Sequence, residues 1–374
     1  MRCDRRVDAP LSIANRPMMI RTVLCSLFCT LALSQASGAV QEPAAANTKV
    51  VRVFILAGQS NMEGKAQMKL MDHQAQTDET REFFAHLRDG TGWRVRDDAF
   101  IKFFGRHGQL TAGYGSRDRT GVELEFGTIM AERFDEPVLL IKTAWGGRSI
   151  DRDFRPPSSG LPSKDALEAE LATAIARTTQ ENEKRNQSKA LPTMEEIQGA
   201  YGKDYRAMLS EVGATLAGLD TFFPELAGHR PLLTGFVWFQ GWNDQYGGAE
   251  TRYEGHMQNF IGDVRRDLDA PKLPIVIGAM GQNGSKPAKG PMLAIQTAQL
   301  AMNDVPDFAG SVRTIRTDVL IDKAAEALYP RWKEEMEQWE RTGSDHAYHY
   351  LGSAIWFTRI GRAMANEMLL ITDD

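Results

Sequence analysis

A serine that could act as a nucleophile stands directly after an apolar, β-branched run of the chain. Residues 50–57 read Val-Val-Arg-Val-Phe-Ile-Leu-Ala, and Gly58, Gln59 and Ser60 follow. The run is typical of a buried parallel strand, and Gly58 permits a tight turn that would present Ser60 at the carboxyl end of that strand. Open α/β sheets bind their ligands at this end. The pattern predicts a serine nucleophile, although it also fits a turn in which Ser60 only caps a helix.

An activated serine needs donors for an oxyanion, and two later segments contain candidates. Gly146 and Gly147 follow the strand-like run 137–141, and paired glycines let a backbone N–H approach developing negative charge. An ordinary turn explains the same pair of glycines. Asn243 follows a further strand-like run, 235–239, and its side-chain amide can donate to an oxyanion without titrating.

A base is available near the carboxyl terminus. Asp345, His346 and His349 lie just before a helical pattern at 352–369, so a carboxylate and a histidine share one loop. His346 and His349 could share a face only if this loop were helical, and no third ligand lies nearby. We therefore expect His346 to face solvent or to support the site from behind.

The remaining histidines and cysteines argue against a metal. Five histidines are scattered along the chain, at His73, His86, His107, His229 and His256. The three cysteines all lie near the start of the chain. No segment has the ligand spacing of a zinc site. We predict that the protein uses no metal and no cofactor.

The ordered blocks resemble those of the SGNH hydrolase superfamily. Gly-Gln-Ser-Asn occupies 58–61, Trp-Gly-Gly occupies 145–147, Gln-Gly-x-Asn-Asp occupies 240–244 and Asp-x-x-x-His-Tyr occupies 345–350. The closer resemblance is to the sialate O-acetylesterase-like branch with family 6 of the carbohydrate esterases. It implies a flavodoxin-like three-layer α/β/α sandwich with a mostly parallel central sheet, and removal of O-acetyl groups from sugars.

The resemblance also implies a role for each matched residue. Ser60 becomes the nucleophile and His349 the base. The oxyanion hole is formed by Ser60, Gly147 and Asn243, with Gly146 as the less favoured glycine. Three further residues are expected to bind substrate: Gln59, Gln240 and Trp242.

The acid partner of the histidine departs from the family pattern. Many relatives carry glutamate where this chain has Trp242, and the residue three before His349 is His346 rather than aspartate. We choose Asp345 as the acid because it shares a loop with His349, and we keep Asp244 as the alternative.

The chain divides into a leader, a linker and one hydrolase domain. Residues 1–39 resemble a secretory signal peptide, and translation could begin at Met18 or Met19. A linker at 40–49 precedes the hydrolase domain at 50–370. We expect export to the periplasm or the medium of a bacterium. We expect no stable membrane insertion of the mature chain, since the apolar part of the leader is too short to span a bilayer.

Two large insertions of helices and loops separate the blocks, at about 66–120 and 152–230. Aromatic residues of the first insertion could form sugar-binding walls or pack beneath a loop. The second insertion shows helical patterns at 166–189 and 194–219. Glu123, in a helical pattern after the first insertion, fits a solvent-facing acid better than a residue of the site.

The resemblance implies an O-acetylesterase acting on an acetylated oligo- or polysaccharide. Two alternatives stay open: hydrolysis of lipid or other small esters, and a non-catalytic carbohydrate-binding protein. The formal net charge of −5 shows no nucleic-acid-binding signature.

Overall fold

The computed structural model describes residues 49–372. The predicted signal peptide and most of the predicted linker lie outside this range. The described strands are β1 Val50–Gly58, β2 Ala66–Gln67, β3 Arg88–Asp89, β4 Gly92–Trp93, β5 Ala99–Phe103, β6 Arg106–Gln109, β7 Arg119–Thr120, β8 Val138–Ala144, β9 Arg230–Phe239, β10 Ile275–Ala279 and β11 Val312–Arg316.

Helices alternate with these strands. They are α1 Ser60–Glu63, α2 Met68–Gln74, α3 Arg81–Phe84, α4 Val122–Arg133, α5 Lys164–Arg185, α6 Met194–Ala200, α7 Lys203–Ala217, α8 Leu219–Phe222, α9 Tyr253–Asp267, α10 Gly290–Ala301, α11 Lys323–Leu328, α12 Met336–Trp339 and α13 Ala354–Thr372. None of the helices between residues 49 and 372 is long and apolar enough to cross a membrane.

Seven strands form one central sheet in the order β11-β10-β9-β1-β8-β5-β6. All neighbours pair in parallel except the edge strand β6, which is antiparallel to β5. Without the β5–β6 hairpin, the remaining strands lie in the flavodoxin-like order 2-1-3-4-5. The predicted α/β class with a mostly parallel sheet is therefore confirmed. The hairpin belongs to the first insertion, so this insertion extends the sheet as well as forming loops.

Helices cover both faces of the sheet. Alternate residues of β1 pack into the two separate cores that lie beneath these helices. Phe54 and Leu56 pack with apolar residues of α4 and α13. Val53 and Ile55 pack on the other face with residues of α7, α9 and α10. Burial on both faces explains why β1 is almost continuously apolar rather than alternating.

Most helical and strand patterns are found close to their predicted positions, with one interruption. The predicted helix 194–219 is divided into α6 and α7 at Gly202. This glycine has φ +67°, and a Cβ there would lie 2.7 Å from the carbonyl oxygen of Arg155. A left-handed glycine in close contact with a neighbouring backbone cannot continue a helix.

Glu123 is buried, so the expectation that it faces solvent is wrong. Its carboxylate forms an ion pair of 3.0 Å with Lys142, and both side chains are completely shielded from solvent. The Lys142 ammonium also donates to the carbonyl oxygens of Glu63 and Tyr114, each at 2.7 Å. Burial lowers the pKa of Lys142, although Glu123 opposes this shift. The positive charge of Lys142 on β8 makes it possible to bury the carboxylate of Glu123 on α4.

Replacing Lys142 by methionine should destabilise the fold by about 3–5 kcal/mol, because the Glu123 charge then stays buried without a partner. Denaturant unfolding measures the loss. Lys69→Ala is the control, since the Lys69–Glu340 pair is exposed and its removal should cost less than about 0.5 kcal/mol. Adding Glu123→Gln to Lys142→Met should recover part of the loss. Equal free energies of unfolding for Lys142→Met and Lys69→Ala would contradict the prediction.

Candidate active site

The predicted blocks meet at the carboxyl edge of the central sheet. In the parallel register, Gly58 at the end of β1 lies opposite Ala144 of β8 on one side and Phe239 of β9 on the other. The chain leaves these three strand ends into the segments that carry Ser60, Gly147 and Asn243. β8 and β9 lie on opposite sides of β1, so the order of the strands along the sheet reverses at this strand. Open α/β sheets form their binding crevice at such a point.

Gly58 allows the strand ends to approach closely. A Cβ at this position would lie 2.2 Å from the carbonyl oxygen of Phe239, so any side chain would force the strands apart. Ser60 then begins the four-residue helix α1, and 7% of its surface is exposed. The side-chain amide of Asn61 donates to the carbonyl oxygen of Tyr348 at 3.1 Å. The segment after Ser60 is thereby attached to the loop that carries His349.

Asp345 lies beside His349 in that loop. One oxygen of Asp345, Oδ1, lies 3.1 Å from Nδ1 of His349, but the N–H direction is too bent for a well-aligned hydrogen bond. The same oxygen accepts the backbone N–H of His346 at 2.7 Å. The other oxygen accepts from the guanidinium of Arg119 at 3.0 Å. Burial acts to raise the pKa of Asp345, but His349, the His346 N–H and Arg119 together lower it.

The backbone after His349 is held in a strained turn. Tyr350 and Leu351 have φ +52° and +59°, values that side-chain-bearing residues rarely adopt. The Tyr350 hydroxyl is buried, where it accepts the N–H of Gly281 at 3.0 Å and lies 2.8 Å from Oγ1 of Thr317. These contacts at the edge of the sheet hold the turn and so determine where His349 is placed.

Asp244 belongs to a different hydrogen-bond network. Its two carboxylate oxygens accept the backbone N–H groups of Ile150 and Asp151 at 3.0 and 2.9 Å. A third bond, of 2.6 Å, comes from the side chain of Gln240. Burial raises the pKa of Asp244 to about 7, although these donors act against the shift. In the described chain, its contacts lead to the loop after β8 and not to His349.

Gln59 and Gln240 are engaged inside the protein, with 2% and 3% of their surfaces exposed. The backbone N–H of Gly241 donates to Oε1 of Gln59 at 3.2 Å, so this atom must be the acceptor end of the amide. Nε2 of Gln59 then donates to Oδ1 of Asn243 at 3.1 Å. The Asn243 oxygen is thus occupied, whereas its N–H groups are not used by Gln59. Substrate contact by either glutamine stays a prediction.

Glu63 contacts the paired glycines directly. Its Oε1 accepts the N–H of Gly146 at 2.6 Å, while Oε2 is bound by Lys65 and Ser116 at 2.6 and 2.9 Å. Burial would raise the pKa of Glu63, but Lys65, Ser116 and the Gly146 N–H lower it overall. Gly147 follows with φ +72°. The carboxylate occupies the amide of Gly146 and holds the turn that presents Gly147.

Two residues of this arrangement, Arg119 and Glu63, were not predicted from the sequence to belong to the site. Arg119 stands 226 positions before its partner Asp345, so no local pattern connects them. Glu63 was detectable in principle, because it follows Ser60 by one helical turn.

The other predicted residues lie close to the histidine loop. The ring of Trp242 is half-buried, and its centroid lies 5.9 Å from that of Tyr348. His346 is exposed, as expected. Among the described residues, no group of three or more His, Cys, Asp or Glu side chains could hold a metal ion.

Comparison with solved structures finds distant similarities. A protein from Arabidopsis thaliana shares 15% identity over 85% of this chain and 97% of its own, with a TM-score of 0.45. XAC1771, a carbohydrate acetylesterase from Xanthomonas citri, shares 14% identity over 86% of this chain and 56% of its own, with a TM-score of 0.42. NanS shares 13% identity over 72% of this chain and 78% of its own, with a TM-score of 0.39.

Comparison at the level of sequence families gives a more direct result. No curated protein matches the chain significantly. The family profile described as "Carbohydrate esterase, sialic acid-specific acetylesterase" matches residues 50–323, which is well over half of the chain. This range includes Ser60, Gly147 and Asn243 and ends before the loop of Asp345 and His349. The chain belongs to this family of carbohydrate esterases.

Proposed function

We propose that the protein is a serine esterase that removes O-acetyl groups from carbohydrates, with Ser60 as nucleophile, His349 as base and Asp345 as acid. The observation that carries the proposal is the 3.1 Å contact of Asp345 with His349, in a loop attached to the segment after Ser60. The loop near the carboxyl-terminal end of the domain thereby lies against the segment that follows Ser60 near its amino-terminal end. A nucleophile, a base and an orienting carboxylate in this order form a hydrolytic triad.

The first half-reaction forms an acetyl-enzyme. Nε2 of His349 takes the proton of Ser60 as the serine oxygen forms a bond to the acetyl carbon. Asp345 faces Nδ1, so it keeps the proton on that nitrogen and stabilises the imidazolium that develops. The bond between the acetyl carbon and the sugar oxygen then breaks. The leaving sugar oxygen receives the proton from His349, and the acetyl group stays on Ser60.

Water completes the reaction by the same route. His349 takes a proton from water as the water oxygen attacks the acetyl carbon, and the bond to Ser60 breaks. The serine oxygen recovers its proton from His349, and acetate leaves. Every transferred proton passes through the histidine, so the reaction requires no cofactor.

The oxyanion is bound in this proposal by the N–H groups of Ser60, Gly147 and Asn243. The occupied N–H of Gly146 favours Gly147 as the glycine donor, in agreement with the resemblance. Gln59 favours Asn243 as the side-chain donor, because it binds the amide oxygen and leaves the amide N–H groups for the substrate. Hydrogen-bond donors whose positions are fixed before the reaction lower the energy of the transition state, because they need not reorganise during the reaction.

Asp345 is preferred to Asp244 because of what each carboxylate contacts. Both oxygens of Asp244 are used by N–H donors of the loop after β8 and by Gln240. We therefore assign Asp244 the role of holding this loop against the segment 240–244. Export of the protein and the identity of the acetylated sugar stay expectations.

Ser60→Ala should abolish acetate release from acetylated sugars and labelling by a serine-directed phosphonate, because it removes the attacking oxygen; the rate should fall by several orders of magnitude. Ser210→Ala, a change at an exposed position of α7, is the control and should keep full activity. Long-chain esters and a glycan-binding panel are tested in parallel. Preference for long-chain esters would support a lipid hydrolase, and binding without turnover a non-catalytic protein.

Asp345→Asn should lower kcat by about 10²–10⁴-fold with little change in KM, because an amide cannot hold the imidazole in the required tautomer. Asp244→Asn should lower kcat far less and act mainly on stability, since it disrupts a buried N–H acceptor. Steady-state kinetics combined with thermal unfolding separates the two effects. A larger kcat loss for Asp244→Asn, in a folded protein, would reverse the assignment.

Asn243→Ala should lower kcat about a hundredfold with a smaller effect on KM, because the lost donor acts mainly in the transition state. Gln59→Glu should reproduce this pattern. A carboxylate still accepts from Gly241 but repels the Asn243 oxygen, so the asparagine amide turns its oxygen toward the oxyanion. Kinetics on one acetylated sugar measures both variants. An increase in KM alone for Gln59→Glu would make Gln59 a substrate-binding residue instead.

A further inference from the structure

We propose that four aromatic side chains form a ledge that binds the sugar residues next to the acetylated one. The aromatic ledge consists of Trp242, Tyr348, His346 and Trp332. The substrate of the esterase is then an oligo- or polysaccharide rather than a free monosaccharide. This inference rests on the proposed function and adds the length of glycan that the site accepts.

The rings of the aromatic ledge form a continuous row. The centroids of Trp242 and Tyr348 lie 5.9 Å apart, and those of Tyr348 and His346 lie 5.2 Å apart. The next step, from His346 to Trp332, is 5.8 Å. Each step is an ordinary contact distance between aromatic rings. The row joins three loops that are far apart in sequence: the loop after β9, the loop between α11 and α12, and the loop before α13.

The aromatic ledge is accessible to solvent. Tyr348 keeps 38% of its surface exposed, His346 is exposed, and Trp242 and Trp332 are half-buried. Behind the ledge, the ring of Trp339 is buried and lies 6.3 Å from that of Trp332, which supports the far end. Contiguous aromatic surface that stays accessible to solvent is a common feature of binding sites.

One end of the aromatic ledge reaches the proposed reacting groups. Tyr348 immediately precedes His349, and the centroids of the two rings lie 4.5 Å apart. Trp242 immediately precedes Asn243. A chain that lies on the ledge therefore begins beside the proposed reacting groups, at Trp242 and Tyr348, and continues toward Trp332.

Sugar residues fit the chemistry of this row. A pyranose ring presents C–H faces that stack on aromatic rings and hydroxyl edges that need hydrogen-bond partners. The ledge provides ring surface together with the hydroxyl of Tyr348 and Nε2 of His346, while Nδ1 of His346 lies 3.5 Å from the hydroxyl of Tyr329. A fatty acyl chain needs an apolar wall and gains nothing from these polar groups. We therefore assign the ledge to the glycan and not to the acyl group.

The test measures how kcat/KM depends on substrate length. The substrates are acetylated xylo-oligosaccharides and acetylated sialyl-oligosaccharides of one to six residues, and 4-nitrophenyl acetate serves as an ester too small to reach Trp332. In at least one series, kcat/KM should rise about tenfold or more with length, the factor expected from one or two added ring contacts. Values that do not depend on length in either series would overturn the proposal.

Variants of Trp332 locate the effect. Trp332→Ala should remove about tenfold of kcat/KM on the longest substrates and leave 4-nitrophenyl acetate unaffected, whereas Trp332→Phe should keep most of the length dependence. Since Trp332 packs on Trp339, the exposed His346→Ala is a second variant that spares this packing. Leu161→Ala, at an exposed position outside the ledge, is the control and should behave as wild type. Equal losses on small and long substrates would overturn the proposal.

A binding measurement separates failure of the inference from failure of the proposed function. If no acetylated sugar releases acetate, the proposed function fails, and the ledge is judged by quenching of tryptophan fluorescence with the same oligosaccharides. Saturable quenching in Ser60→Ala that is lost in Ser60→Ala/Trp332→Ala supports the ledge. Absence of quenching in Ser60→Ala overturns it.

Discussion

The close approach of β1 and β9 at Gly58 is the constraint on which the site depends. With no side chain at Gly58, the two strand ends can lie within contact distance, and the chain turns at once into α1. Ser60 and Asn243 follow the ends of two neighbouring strands, so both lie at the same edge of the sheet. The distance between the proposed nucleophile and the proposed oxyanion donor therefore follows from backbone pairing and does not depend on long, flexible side chains.

Buried hydrogen bonds give the polar groups at this edge a defined orientation. The Gly241 N–H determines which end of the Gln59 amide accepts, and this in turn determines the orientation of Asn243. Glu63 plays a similar part for Gly146. The ammonium of Lys142, paired with Glu123 in the core, holds the backbone carbonyl of Glu63 and so connects the interior of the sheet to α1. Unpaired polar groups in such surroundings would be costly, so the network has few alternative arrangements.

The insertions contribute to the site and to the sheet. The first insertion adds the β5–β6 hairpin to the edge of the sheet and delivers Arg119 to the outer oxygen of Asp345. The second insertion packs against the loop after β8, where the carboxylate of Asp204 pairs with the guanidinium of Arg148 at 2.8 Å. The family fold supplies the strand ends, and the inserted segments complete the surroundings of the proposed acid and of the loop after β8.

The sequence alone was sufficient for features that depend on local pattern. Apolar runs ending in glycine identify β1 and β9, because burial on both faces of a parallel strand leaves few polar positions. The ordered blocks identify the family. Contacts between distant segments were decided only by the tertiary structure. Arg119 reaches Asp345 across 226 positions, and Glu123 is buried because a lysine on another element neutralises it. No period or local spacing encodes such pairs, since they arise when the sheet brings separate strand ends together.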